Sequence, residues 1–149
     1  MSLSTVRAQV KTVIEAVSNI GTVHDYERYS KDWSTYKDFF KSGSVINFTQ
    51  ILRPSFIRTV EGSDATERVT HNFLFKGAYS LDDSMATEKT CQDLVEGICQ
   101  AFRDKPKLQD TAEVVIYPIT GRLFNGMFGN VLCHIYEIEV SIRERIVFG

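Results

Sequence analysis

Glycines spaced like those of a phosphate-binding loop are the first candidates for chemistry in this 149-residue chain. Gly121 and Gly126 have the G-x-x-x-x-G separation, but Met127 and Phe128 stand where that pattern needs Lys and then Ser or Thr. This glycine segment therefore lacks the ammonium group that would reach the phosphates and the hydroxyl that would bind Mg²⁺. Asn125-Gly126 instead indicates a turn within a long loop between two strands.

Two glutamates in the last strand-like segment resemble a pair of catalytic carboxylates. Glu137 and Glu139 are two residues apart, so they would point to the same side of a strand. Arg143 and Arg145 follow on that side. Solvated charges or cross-strand charge pairs are therefore the favoured interpretation, and the two arginines become candidates for a surface contact.

The three histidines show no pattern of a metal site. His24, His71 and His134 have no Cys, Asp or Glu at a recognised zinc spacing, and the chain contains no G-x-S-x-G, H-E-x-x-H or C-x-x-C motif. We therefore expect no enzyme, no metal and no cofactor. An enzyme whose site is assembled by folding from residues such as His71, His134 and Glu137 is an alternative.

Composition predicts one domain spanning residues 1–149. The apolar share of 43% is ordinary for a globular protein, and no apolar run approaches the roughly 20 residues that cross a bilayer. The net charge of −2, without clustered Lys and Arg, disfavours nucleic-acid binding. The segment MSLSTVRAQVKTVIEAV lacks the apolar centre of a secretory signal, so we expect folding in a cytoplasm, with Cys91, Cys99 and Cys133 as small core residues.

The pattern of apolar residues predicts the elements that must position these side chains. Helical periodicity spans about Ser4–Ile20 and again from Asp83 or Ser84 to Lys105. Strands are expected on both sides of the turn-forming EGSDAT, the first one broken at Arg53-Pro54, and then at Glu113–Ile119 and Val131–Ile146. The expected fold class is α+β, a mostly antiparallel sheet of about four strands with two main helices packed on one face and one short extra helix.

Two groups of apolar residues are candidates for a subunit or partner interface. The first is the expected loop between the last two strands, with Leu123, Phe124, Met127 and Phe128. A lid folded back over the core is the alternative there. The second is the aromatic segment HDYERYSKDWSTYKDFF, in which Trp and Tyr are residue types enriched at interfaces. Its candidates are Tyr29, Trp33 and Tyr36, whereas core packing explains the two phenylalanines equally well.

The order of elements resembles the tail terminator and tail-completion proteins of long-tailed bacteriophages. The segments that carry the resemblance are LSTVRAQVKTVIEAV, HNFLFKGAYSL, CQDLVEGICQAF and HIYEIEVSIRERI. The resemblance implies a structural phage or prophage protein, a subunit of a hexameric ring that ends polymerisation of the tail tube and joins the tail to the head connector.

The same resemblance implies which partners the chain meets. They are further copies of itself, tail-tube protein and head-connector protein, with no membrane and no nucleic-acid sequence recognition. The protein would occupy the host cytoplasm during assembly and then the virion tail. The expected contacts are the loop Phe124–Phe128, the hairpin tip Gly62–Thr66 and the segment around Trp33. A small ligand-binding or regulatory module that dimerises through its sheet is the remaining alternative.

Overall fold

The computed structural model describes residues 3–43, 45–60, 65–108 and 113–147, without the side chains of Trp33 and Glu113. Sheet dominates, with 51% strand and 29% helix. The elements in chain order are α1 (Leu3–Glu15), β1 (Thr22–His24), α2 (Trp33–Asp38), β2 (Lys41–Ser42), β3 (Val45–Val60), β4 (Thr66–Ser80), a 3-10 turn (Asp83–Met85), α3 (Thr87–Asp104), β5 (Glu113–Phe128) and β6 (Val131–Val147).

The sheet corrects the expected fold class. It is a six-stranded mixed sheet with the order β1-β3-β4-β6-β5, in which β1 runs parallel to β3 and β2 pairs with the start of β3. Together with three helices, this contradicts the four-stranded, mostly antiparallel sheet with two main helices. The two extra strands, β1 and β2, are three and two residues long, too short for apolar alternation to reveal them.

The predicted loop between the last two strands is also wrong. β5 continues through the glycine- and aromatic-rich residues to Phe128, and only Gly129 and Asn130 connect it to β6. Gly129 has a φ of 60°, as the first central position of a two-residue hairpin turn requires. The two strands therefore form a hairpin of almost full sheet length.

Two helices, α1 and α3, pack on one face of the sheet, called here the helix face. Their apolar stripes match the sequence prediction, because residues at spacings of three and four are the buried ones. α1 ends at Glu15, before the predicted Ile20, and Asn19 and Gly21 then adopt positive φ to turn the chain into β1. The largest fully buried side chains of this core are Ile14, Ile51, Phe73, Phe75, Ile98, Phe102, Tyr136, Ile138 and Ile142.

Tyr136 crosses the sheet inside this core and joins three strands. Its side chain passes over Gly77 of β4, where a Cβ atom would overlap the ring. The hydroxyl lies 2.6 Å from Thr49 Oγ1 and donates to the Phe48 carbonyl oxygen at 3.1 Å, both on β3. Burial raises the pKa of this phenol far above its ordinary value. Gly77 is therefore required by the close approach of the ring.

A second core covers one end of the opposite face of the sheet. Its centre is an aromatic cluster formed by Tyr36, Phe39, Phe40, Phe48 and Phe128. Phe40 is fully buried, with its ring centroid 4.4 Å from that of Phe48, 4.9 Å from Tyr36 and 5.2 Å from Phe128. His24 Nε2 donates to the Phe39 carbonyl oxygen at 2.6 Å, which ties the end of α2 to β1. The segment around α2 thus closes this face.

Two bulges divide the long strands. One lies in β3 between Leu52 and Ser55, as Arg53-Pro54 predicted, and the other in β5 between Ile116 and Thr120. The half of the sheet that contains Ser55–Val60 of β3 and their β4 partners Glu67–Asn72 is called here the distal half. β1 and β2 pair with β3 only before its bulge.

Candidate interaction surfaces

The aromatic candidates separate into a half-buried and an exposed group. Tyr36 and Phe128 stack with ring centroids 5.8 Å apart and belong to the aromatic cluster. Tyr29 is 75% exposed and touches Tyr36 only edge to face, at 6.4 Å. The side chain of Trp33, like most of the predicted tip at 62–66, lies outside the described residues. Tyr29 thus stays a candidate contact residue, whereas Tyr36 and Phe128 have a packing role inside the subunit.

The other candidates of the last third lie along β5. Leu123 points to the helix face and packs against its core, while Phe124 points to the opposite face and is 40% exposed. The Arg122 guanidinium lies over the Phe124 ring at 5.0 Å from its centroid. Met127 is 59% exposed. The C-terminal part of β5 therefore exposes apolar side chains.

β5 is the last strand of the sheet, and half of it has an unpaired edge. Phe128 and Val131 flank the two-residue turn, so their backbone groups face each other. Every second residue of β5 counted back from Phe128 therefore also directs its backbone groups towards β6. The residues between them, Leu123 and Met127 among them, direct N–H and C=O groups outward, and no described backbone group bonds to them. Nearer its start the strand is covered, because Val115 N–H donates to the Pro106 carbonyl oxygen at 2.8 Å.

β3 presents a second unpaired edge on the other side of the same sheet. From Ser55 onward it pairs with β4 alone among the described strands. Phe56, Ile57 and Val60 are between 50% and 61% exposed. Arg58 holds the hairpin together, because its Nε and Nη2 donate to the two carboxylate oxygens of Glu67 at 3.1 and 2.8 Å. This edge is extended and carries three exposed apolar side chains.

The charged candidates lie on the face opposite the helices. Glu137 accepts a hydrogen bond from Arg122, and Thr120 donates to Glu139 at 3.3 Å, so both glutamates contact β5 side chains across the sheet. Arg145, which is exposed, and the half-buried Arg143 lie on the same face, in the distal half. These groups are surface charges of the sheet.

The residues of the alternative enzyme site are far apart. His71 and His134 both lie on the helix face, but their partners on the neighbouring strands are Ile142 and Tyr79, near opposite ends of the sheet. His134 is held by Thr87 at 2.9 Å and Asn125 at 3.0 Å, and Glu137 projects from the other face. The fold does not bring these three residues together.

The sequence pattern did not reveal a polar cluster formed by the buried His71 and Glu144 and the half-buried Arg53. His71 and Glu144 are each 2% exposed, with His71 Nε2 3.3 Å from Glu144 Oε1. Arg53 Nη1 lies 3.1 Å from His71 Nδ1, and because arginine can only donate, Nδ1 must accept. The hydrogen therefore resides on Nε2 and is donated to the Glu144 carboxylate, which fixes a neutral tautomer. Burial lowers the pKa of His71, although Glu144 opposes the shift.

We expect the free energy of unfolding to fall as the pH drops below 6.5, the ordinary pKa of histidine. In that window the unfolded chain takes up a proton at His71, whereas the folded chain resists it, so the folded state is favoured less. His71→Gln can still accept from Arg53 and donate to Glu144 without titrating. Urea unfolding of both proteins between pH 7.5 and 5.5 should give a smaller loss of stability for the variant. Parallel curves would contradict the assignment.

The three cysteines are packing residues. Cys91 and Cys133 are buried, and burial raises the pKa of each thiol to about 11. Cys99 is partly exposed, and burial also raises its pKa. The thiolate form, which is the nucleophile, is therefore suppressed at all three positions.

A cavity of about 450 Å³ separates the end of α1 from α3. It is lined by small side chains such as Ala16, Gly97 and Ala101, with Asp93 and Asp104 at its margin. It contains none of the residues that the sequence singled out for chemistry.

No protein-family model matches this chain, and a search of curated proteins finds no significant match. Each helix in the described part of the chain is too short or too polar to cross a bilayer.

Proposed function

We propose that this protein is a structural subunit of a phage or prophage tail, a terminator or completion protein that assembles into a ring. One observation supports it best: among the described residues, a single sheet has apolar edge segments without a pairing strand on both of its outer sides, on β3 and on β5. A long unpaired edge is a template for another chain, and soluble monomers usually block such edges. Two different edges on one subunit favour head-to-tail contacts, which form a ring when the rotation from one subunit to the next closes.

The rest of the molecule is compatible with this role. One core packs on the helix face and the other on one end of the opposite face, and α1, β3, β4, α3, β5 and β6 follow one another in the order that carries the resemblance. The expected partners are copies of this chain, the tail-tube protein and the head connector. The hexamer number comes from the resemblance alone.

The test is assembly in the presence of tube protein. The purified chain would be studied by light scattering over a range of concentrations and by negative-stain imaging, alone and with polymerising tail-tube protein. We expect rings and tubes of limited length that carry a ring at one end. A chain that stays monomeric under all these conditions, with no effect on tube length, would disprove the proposal.

A further inference from the structure

We infer that neighbouring copies join by pairing the distal part of β3, Ser55–Val60, with the edge of β5 between Thr120 and Phe128. This inference rests on the proposed function, since it names the contact through which the ring would form. The occupant of each edge is a second copy of this chain.

Strand direction is the first argument. β3, β4, β6 and β5 alternate in direction across the sheet, so β3 and β5 run opposite to each other. A copy placed beside another with its helix face on the same side would bring its β3 next to β5 in antiparallel orientation. The alternation of the sheet would then continue from one subunit into the next.

The covered parts of the two edges supply the second argument. β1 and β2 cover β3 at the end of the sheet where β5 is free, and Pro106 covers β5 at the end where β3 is free. Two copies at the same level would therefore collide. A shift along the strands removes both collisions, because each covering segment then lies beyond the end of the neighbouring sheet.

The size of this shift follows from the register. Aligning Val60 with Gly121, which lies on the same face of the sheet, moves one copy by the separation of their β4 partners, Glu67 for Val60 and, through β6, Phe75 for Gly121. That is a difference of eight residues, about 26 Å at 3.3 Å per residue. If subunits repeat around a ring with such an offset, their strands are tilted relative to the ring axis, as the strands of a closed β-barrel are tilted relative to the barrel axis.

The exposed side chains agree with this arrangement. Ile57 and Phe124 both lie on the face opposite the helices, so they would become neighbours across the contact. Phe56 and Met127 both lie on the helix face and are 50% and 59% exposed. The outward backbone groups of Leu123 and Asn125 would face those of Arg58 and Phe56 on β3. The contact therefore combines main-chain hydrogen bonds with apolar burial on both faces.

The experiment uses cysteine pairs placed on different copies. In a Cys99→Ser background, Ile57→Cys protein and Phe124→Cys protein would be purified separately, mixed, and treated with a short bismaleimide. We expect cross-linked dimers from the mixture and at least tenfold fewer from either variant alone. Cross-links within one variant but not between the two would overturn the inference in favour of a symmetric edge contact.

A matched pair of lysine substitutions provides the second measurement. Met127→Lys places a charge on the β5 edge, whereas Met85→Lys changes an equally apolar and 70% exposed residue on the 3-10 turn. We expect Met127→Lys to raise the protein concentration at which half of the chains are assembled at least tenfold, and Met85→Lys to leave it unchanged. The far-UV circular dichroism spectra of both variants should match that of the unaltered protein.

The outcomes separate this inference from the proposed function. Rings that form equally well with Met127→Lys, without cross-links in the mixture, would overturn the edge contact and leave the tail function intact. Cross-linked filaments that ignore tube protein would support the edge contact and refute the tail function. A chain that is monomeric in every condition would refute both.

Discussion

Replacing Gly77 by alanine is expected to lower the free energy of unfolding by about 3 kcal/mol, because a core forced to accept an extra methyl group must move side chains and backbone. The new Cβ would lie inside the Tyr136 ring and against the Phe48 carbonyl oxygen, which is backbone and cannot rotate away. The displaced ring would also lose its hydrogen bonds to Thr49 and Phe48. Urea denaturation followed by near-UV circular dichroism would measure the loss.

Gly121→Ala is the matched control for this prediction. Gly121 also lies in a strand without positive φ, but a Cβ there meets its nearest atom, the Glu137 carbonyl oxygen, at 3.3 Å. We expect a loss below about 1 kcal/mol, because only a small adjustment is needed. Equal losses at the two glycines would show that the overlap with the Tyr136 ring does not decide the effect.

Phe40→Ala is expected to cost about 3–5 kcal/mol, the range for deleting a buried phenylalanine. Phe40 is fully buried at the centre of the aromatic cluster and contacts rings from α2, β3 and β5. Its removal would weaken the packing of α2 against the sheet, which the Tyr36–Phe128 stack alone would then maintain among the described aromatic contacts. Chemical denaturation would measure the loss, and proteolysis between Tyr26 and Lys41 would report local opening.

Tyr29→Ala controls for the loss of an aromatic side chain in the same segment. Tyr29 is 75% exposed, so its removal should change stability by less than about 0.5 kcal/mol. Its effect, if it is a contact residue as the sequence suggested, should appear only in assembly. A large loss of stability for Tyr29→Ala would mean that Tyr29 packs as part of the second core.

The helices were predictable because their information is local. Val6, Val10 and Val13 recur at helical spacing and are all buried, as are Leu94 and Ile98 in α3. Periodicity of this kind needs only one face of one element to be covered. The faces of β6 were predictable for the same reason, since alternate residues are buried along its length.

The end of β5 was not predictable, because its glycines suggested a loop. In the sheet the place of a side chain at Gly126 is taken by Ile135 of β6, whose Cδ1 lies 2.7 Å from where a Cβ would stand. Glycine there makes room for a neighbouring strand. Nothing in the local sequence records that neighbour, so the strand was read as a turn.

The candidate surfaces were only partly predictable for a related reason. Phe124 and Met127 were singled out as exposed apolar residues, and both are exposed. Tyr36 belonged to the same group of candidates but packs into the aromatic cluster. Ile57 and Val60 were missed, because their exposure arises from β1 and β2 covering β3 only before its bulge, a non-local property.

The position of β6 between β4 and β5 has a consequence for synthesis of the protein. The β3–β4 hairpin leaves the ribosome first, but its partner strand is made only after α3 and β5. At about 5–20 residues per second, several seconds pass in which β4 has one unpaired edge. Pairing over such sequence separations is slow, so this nascent hairpin is the stage at which a chaperone would have most to protect.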